Sequence, residues 1–245
     1  MDGWPLVLLC GAIALVALLY SSVGHAGASG YIAVLSLWGF TTSFIKPTAL
    51  VLNVLVACIG TFQFWRAGYF SWGLFWPFAA LAVPAAFLGG YLPIPLTFVT
   101  LLLGGVLLAS AARLWWQPKE AETATAPGRP GGLATGAVIG FLSGLTGTGG
   151  GIFLTPILLF MGWARTKQAA ATSAAFILVN SVAGLIGFAA SGKSIPSFAW
   201  ILAVAAVAGG TIGSYLGSAR LPGRAIRLLL GLVLTIAGIK LLWVR

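Results

Sequence analysis

The sequence predicts an all-α protein that crosses a membrane several times, and its composition and apolar pattern support this class. Of the 245 residues, 60% are hydrophobic and only 7% are charged, whereas a soluble domain carries about 25% charged residues to cover its surface. The mean hydropathy is +1.05, which excludes intrinsic disorder because disordered chains are polar and rich in charge. The apolar runs leave room for roughly eight to ten membrane segments. We therefore expect a polytopic helical membrane protein.

The charged residues favour an anionic solute over a cationic one. Thirteen Lys and Arg stand against three acids, Asp2, Glu120 and Glu122, for a net charge of +10. The cations lie singly between apolar runs, where they orient helices, and they form no basic surface that would bind nucleic acid. The acids all lie outside the apolar runs. No carboxylate is therefore available within the membrane for a proton relay or a cation site.

The apolar runs form two sets of five that flank a polar linker at 117–132. They fall at 5–22, 30–40, 46–66, 72–92 and 97–115, and then at 133–147, 150–162, 168–190, 196–217 and 224–244. Landmarks recur in order at a slowly rising offset: Gly30 matches Gly151, Lys46 matches Lys167, and Trp76 matches Trp200. Ordered matches of this kind indicate a tandem duplication. We expect one membrane repeat at 1–116 and a second at 133–245.

The distribution of Lys and Arg predicts how the two repeats are oriented. If the first two runs of each repeat form a hairpin that returns to its starting side, nine cations share one side and four the other. A single broken crossing would give seven and six. The positive-inside rule favours the hairpin, with the linker in the cytoplasm and both termini in the periplasm. Each repeat then crosses an odd number of times, so the repeats are inverted, as in many secondary transporters.

Each repeat opens with a glycine- and hydroxyl-rich interruption, at 21–30 and at 143–151, that is typical of a broken helix. Glycine permits the backbone angles of a break, and the helix starts that follow, near Ser29 and Gly150, favour anions through their positive dipole ends. Close helix packing by small residues is the alternative interpretation. We expect the two breaks to meet near the bilayer midplane. The amides on the following helices complete the candidate substrate site, whose residues are Ser22, His25, Ser29, Thr146, Thr148, Gly149, Gly150, Gly151, Asn53 and Asn180.

Other kinds of site find no support in the sequence. His25 is the only histidine, and with Cys10 and Cys58 it provides no metal-ligand set. No acid is placed to orient it against a serine nucleophile, and the run 147–151 lacks the GK[ST] ending of a phosphate-binding loop. We therefore expect no cofactor and no enzymatic activity. Lys46 and Lys167 begin helices beside the breaks, where they either extend to the interface or attract the anion.

The two interruptions and the helices after them resemble the TauE/SafE family of sulfite exporters. In the second half the resemblance lies in Gly140–Gly151 with Pro156, and in Ala171-Thr172-Ser173 through Asn180–Gly184. The first half, Ser22–Tyr31 with Lys46–Ala49 and Asn53, is similar to one branch of the family. His25 and Ser29 depart from the commoner pattern, in which the first half carries a glycine-rich run like that of the second.

The resemblance implies a multi-pass permease of the bacterial inner membrane that moves sulfur-containing anions such as sulfite or organosulfonates. We expect export, driven by the membrane potential. Proton-coupled uptake of another small anion through His25 is an alternative, and a membrane assembly subunit without transport activity is another. The expected partners are the lipid bilayer and the anion, and the sequence leaves homo-oligomerisation open. A membrane-embedded enzyme would need a base–nucleophile pair or a set of metal ligands, and the sequence shows neither.

Overall fold

A computed structural model describes residues 3–92, 97–116, 125 and 127–243. Within this part of the chain, regular structure consists of ten α-helices and one π-helical turn. The helices of the first half are α1 (Gly3–Ser21), α2 (Ala28–Leu37), α3 (Thr42–Arg66), α4 (Trp72–Tyr91) and α5 (Thr97–Trp116). The second half contains α6 (Arg129–Thr146), α7 (Gly151–Phe160), α8 (Thr166–Ala190), α9 (Ala199–Tyr215), the π turn Leu216–Arg220, and α10 (Gly223–Trp243).

Every predicted apolar run is a helix, which confirms the all-α polytopic class. Five of the helices in the described residues are long and apolar enough to cross a bilayer. Their outer faces carry large apolar side chains such as Trp4, Trp72 and Val204, which favours lipid as the surrounding medium. The second set of helices repeats the order of the first: α2 and α7 have 10 residues each, and α3 and α8 have 25 each.

Stripes of glycine join the two halves at two parallel helix pairs. Along α6 the glycines are spaced four residues apart and contact successive carbonyl groups of α4, and a stripe on α9 and the π turn contacts α1 in the same way. A side chain at any of these positions would clash with backbone, so only glycine permits the close approach. The residues concerned are Gly136, Gly140 and Gly144 on α6, and Gly209, Gly213 and Gly217 on α9 and the π turn.

The pair α3 and α8 forms the centre of the bundle, and the two helices run antiparallel. Early residues of α3 contact late residues of α8: Leu50 lies against Gly184, and the Asn53 side chain donates to Ser181. Gly60, farther along α3, lies against Ala174, nearer the start of α8. Equivalent helices of the two halves therefore point in opposite directions at the centre.

The first two helices of each half form a hairpin around the break. Gly30 in α2 lies against Val16 and Tyr20 of α1, so α2 folds back along α1. With 10 residues, α2 and α7 are each about 15 Å long, half the thickness of a bilayer core. Gly151 of α7 likewise contacts Ile177 of α8, and Thr155 contacts Ser173, so α7 runs antiparallel to α8.

These directions give the bundle two faces, which we name after their lysines. The Lys193 face holds the starts of α1 and α3 and the end of α8, and a cavity there is lined jointly by Thr41 and Lys193. The Lys167 face holds the end of α3 and the start of α8. The backbone N–H of Thr125 donates to the carbonyl of Gly162 just before α8 (3.0 Å), which ties the linker region to this face. Most of the predicted linker, 117–124 and 126, lies outside the described residues.

Candidate functional site

The first break, residues 22–27, is buried throughout and is connected to the second half by its histidine. The imidazole Nε2 of His25 lies 2.8 Å from the hydroxyl of Thr155 in α7. Thr155 in turn contacts the Ser173 hydroxyl of α8 (2.6 Å) and the carbonyl of Gly151 (3.0 Å). His25 is thus the first member of a buried polar chain that crosses between the halves. Its second ring nitrogen, Nδ1, is buried without a hydrogen-bond partner.

The two serines of the first break are engaged locally. The Ser22 hydroxyl donates to the carbonyl of Leu19 in its own helix (2.7 Å). The Ser29 hydroxyl donates to the phenol oxygen of Tyr20 (3.0 Å). Gly24, with a φ of +80°, packs directly on the backbone of Ala170 in α8. The first break therefore holds its two serine hydroxyls in existing contacts and fits tightly against the neighbouring helix.

The second break, residues 147–150, is a left-handed turn made by glycines. Gly147, Gly149 and Gly150 have φ values of +75°, +75° and +80°, a region that side chains other than glycine rarely adopt. The Thr146 and Thr148 hydroxyls lie 2.8 Å apart across the turn, and Thr146 also donates to the carbonyl of Leu142. The turn ends at α7, which begins inside the protein.

Both short helices start in the interior without a side-chain cap. In the second break, no backbone carbonyl of the described residues accepts from the N–H groups of 148–152, and in the first break the same is true of 26–30. Such N–H groups at a helix start normally bond to a cap, to water or to a ligand. Two buried rows of free donors at positive dipole ends are suited to bind an anion.

Polar side chains without partners surround the start of α7. The Ser143 side chain is fully buried, its hydroxyl has no hydrogen-bond partner, and its Cβ lies close to Gly150. Asn53 of α3 is also fully buried; its amide nitrogen donates to Ser181 (3.4 Å) beside Gly149, and its Oδ1 is unpartnered. Burying polar groups without partners costs free energy. Their concentration at one helix start makes the second break the stronger candidate for binding.

Asn180, the other amide among the candidate site residues, forms its hydrogen bond within its own helix. Its amide nitrogen donates to the carbonyl of Phe176 (2.9 Å), while its Oδ1 is buried without a partner. Of the predicted residues, the structure thus brings Asn53 and Gly149 together, and Thr146 and Thr148 together. Ser22, Ser29 and Asn180 have separate, local partners.

The two breaks come close together against the first part of α8. Gly24 of the first break packs on Ala170, and Gly151, where the second break ends, lies close to the carbonyl of Ser173, less than one helical turn farther along α8. The His25 ring of the first break lies beside the first turn of α7. That this approach lies at the bilayer midplane stays a prediction.

The two lysines at the helix starts differ in their surroundings. The Lys167 ammonium donates to the Ser218 carbonyl (3.2 Å) and the Tyr69 hydroxyl (3.3 Å), and it lies over the Tyr69 ring. Lys46 has no hydrogen-bond partner among the described residues, and its side chain passes beside Gly147 of the second break. The ammonium group of Lys167 therefore takes part in the packing at its face, whereas that of Lys46 is available to bind an anion.

Thr155 and Ser143 are the contributors to the site that sequence reasoning missed. Thr155 lies one turn after Gly151 on α7, and Ser143 lies one turn before Gly147 on α6. Helical spacing from the ends of the break would have pointed to both, since residues three or four apart share a helix face. Ser181, next to Asn180, was seen only as part of the family resemblance. In the described residues, no three His, Cys, Asp or Glu side chains cluster as a metal site would require.

Comparison with known proteins identifies the family. The model of the family described as sulfite exporter TauE/SafE matches residues 9–241. A probable membrane transporter protein of Sinorhizobium fredii is 46% identical over 239 residues, which cover 95% of this chain and 96% of that protein. A probable membrane transporter protein of Xylella fastidiosa is 36% identical over 114 residues, 45% of this chain and 42% of that protein.

A probable membrane transporter protein of Bacillus subtilis is 32% identical over 115 residues, 46% of this chain and 41% of that protein. No solved structure matches the chain. The match to the family model runs over nearly all ten helices and includes both breaks. The names of the family and of these relatives point to membrane transport rather than to enzymatic activity. The resemblance read from the breaks is confirmed: the chain belongs to the TauE/SafE sulfite exporter family of membrane transporters.

Proposed function

We propose that this protein is a secondary transporter that exports small sulfur-containing anions such as sulfite or organosulfonates, and that it binds them at the second break. The observation that carries this proposal is the buried, uncapped start of α7, flanked by the unpartnered Ser143 hydroxyl and by Asn53. Free N–H groups and a hydroxyl supply hydrogen-bond donors, and the helix dipole supplies positive potential. The described residues include no Asp or Glu that would repel an anion.

The first break contributes a second helix start, with His25 and Ser29 as further donors. In the described conformation the candidate residues of both breaks are buried or half-buried, which is the arrangement of an occluded site. Transport then requires the two halves to move so that the binding site becomes accessible from each face in turn. The antiparallel course of α3 and α8 supports the proposal that the membrane repeats 1–116 and 133–245, joined by the linker 117–132, are inverted.

The Lys167 face is proposed to be cytoplasmic, in the bacterial inner membrane, with both termini in the periplasm. Helix ends at this face carry Arg66, Arg165 and Arg220 besides Lys167, whereas Lys46, Lys193 and Lys240 lie toward the other face. Basic residues remain on the cytoplasmic side of inner-membrane proteins. In a variant without Cys10 and Cys58, a cysteine at Thr125 should be shielded from impermeant thiol reagents in whole cells. Labelling from outside would show that the Lys167 face is periplasmic and would contradict the proposed orientation.

The driving force for export is proposed to be the membrane potential alone. A potential of about 100 mV, negative inside, drives each negative charge outward with roughly 2.3 kcal/mol. The test is the flux of sulfite and of organosulfonates from liposomes under an imposed potassium-diffusion potential, with and without a pH gradient. We expect flux that follows the potential. A complete lack of flux for every sulfur oxyanion would favour an assembly subunit without transport activity.

Proton-coupled uptake of another small anion is the second candidate, and the place of His25, the only histidine of the sequence, favours it. Its ring lies at the contact between the halves, where protonation would act on both. Flux that follows the pH gradient, ignores the potential and loses its pH dependence in His25→Gln would support this candidate over potential-driven export.

A further inference from the structure

A cavity of about 520 Å³, lined by polar and apolar side chains, opens on the Lys193 face. Its polar lining consists of the Thr41 and Ser43 hydroxyls, where α3 begins, and of Lys193 and Ser194, after α8 ends. Lys193 keeps its ammonium near the ring of Phe188, 5.5 Å from the ring centroid. The cavity therefore presents hydroxyl donors and a positive charge, at the mouth of the bundle.

Lys46 lies beside the second break and near the residues that line the cavity. It lies one turn along α3 from Ser43, and a Cβ placed on Gly147 would be 3.2 Å from its Cγ. Lys193 follows the end of α8 at the face where α3 begins, so the two lysines lie at the same face. None of the described residues is an Asp or Glu that would neutralise them. Two uncompensated positive charges at one face attract a small anion.

The corresponding cavity on the Lys167 face shows that this arrangement is not a general consequence of the repeat. That cavity is smaller, about 300 Å³, and its Lys167 is already hydrogen-bonded to Ser218 and Tyr69. The ammonium group of Lys167 is thus already engaged by groups of the protein. Among the described residues, only the Lys193 face combines a cavity with a lysine that lacks a hydrogen-bond partner and reaches a break.

We propose that the cavity on the Lys193 face is an anion vestibule, in which Lys193, Lys46 and the surrounding hydroxyls hold a small sulfonate or other oxyanion on its way to or from the second break. This proposal rests on the proposed function, because the vestibule would be the outer end of the path along which the anion is exported. The vestibule concentrates anions at the face where, in export, the anion leaves.

The test measures the local charge of the cavity without requiring transport. A cysteine at Ser194, in the full-length protein without Cys10 and Cys58 and reconstituted in liposomes, is modified by methanethiosulfonate reagents that carry either a sulfonate or a trimethylammonium group. We expect the anionic reagent to be favoured. Lys193→Gln and Lys46→Gln should each lower the ratio of the two rates by about threefold to tenfold. Lys193→Arg should preserve the ratio, and Lys167→Gln on the opposite face should leave it unchanged.

Saturable protection by methanesulfonate, lost in Lys193→Gln, would show that the vestibule binds an anion and does more than attract one. A ratio that Lys193→Gln leaves unchanged, both with the cysteine at Ser194 and with a second reporter at Ser43, would overturn the proposal. Sulfite flux, measured on the same liposomes, separates the two ideas. If the anionic reagent reacts preferentially in the cavity but no anion is transported, the proposed function is wrong and the vestibule proposal is still supported.

Discussion

The first and second breaks occupy corresponding places in the two halves, yet their surroundings differ. At the first break Ser22, Ser29 and His25 all have hydrogen-bond partners, and Gly24 packs on the backbone of α8. At the second break the Ser143 hydroxyl has no partner, and the glycines face side chains instead of backbone. Side chains can move aside for a ligand more easily than a packed helix backbone.

We infer that the two breaks, although duplicated in sequence, have different roles. The first break connects the halves through His25, which contacts Thr155 of α7, and through Gly24, which packs on α8. The second break combines free N–H groups with the unpartnered Ser143 hydroxyl at the start of α7, which makes it the better candidate for binding. The following experiments test this division in order of decreasing expected effect.

Gly24→Ala should have the largest effect, and the effect should be on stability. A Cβ at this position would lie 2.5 Å from the Cα of Ala170, in a backbone conformation with a φ of +80°. Backbone strain and overpacking together should lower the free energy of unfolding in detergent by about 2–5 kcal/mol. Gly39→Ala is the matched control, since Gly39 has a φ of +78° and no neighbours within 4 Å. Equal losses in the two variants would contradict the tight packing of the first break.

Gly150→Ala should mainly affect transport. The new Cβ would meet Phe176, Ile139 and Ser143 at 2.9–3.2 Å and would fill the space in front of the α7 start. Because hydrogen bonds to a charged group contribute about 1.5–3 kcal/mol, losing one should reduce anion flux at least tenfold. The purified variant should still elute as a folded protein. Flux like that of Gly39→Ala would move the site away from the second break.

Ser143→Ala should raise the KM for the anion by about tenfold, because it removes a single donor to a charged ligand. Ser22→Ala removes the hydroxyl of the first break that already donates to Leu19, and it should change KM by less than about twofold. The measurement is anion flux at several concentrations for both variants. A larger effect of Ser22→Ala than of Ser143→Ala would reverse the roles assigned to the two breaks.

His25→Gln should have the smallest effect on flux. Glutamine retains a donor that can reach Thr155, so we expect potential-driven flux within about twofold of the unmodified protein and a stability loss of about 1 kcal/mol. Thr155→Val, which removes the partner of His25, should cost about as much stability. The comparison fails if His25→Gln abolishes flux while the protein remains folded, since the first break would then take part in transport directly.

The class of the protein, its segments and its family follow from the amino-acid sequence alone. Composition and apolar runs suffice for this because a bilayer demands long helices with few charges. Glycine and hydroxyl clusters also located both breaks, since glycines that interrupt an apolar run favour the backbone angles at which a helix ends. The division of Lys and Arg predicted hairpins at the start of each half, and the return of α2 along α1 agrees with them.

Which polar groups find partners depends instead on the tertiary fold. The contact between His25 and Thr155 joins residues 130 apart in the sequence, and that between Asn53 and Ser181 joins residues 128 apart. Residue type and spacing along one helix carry no information about such pairs, because they depend on how two helices cross. The same holds for the approach of the two breaks, which depends on how each of them packs against α8.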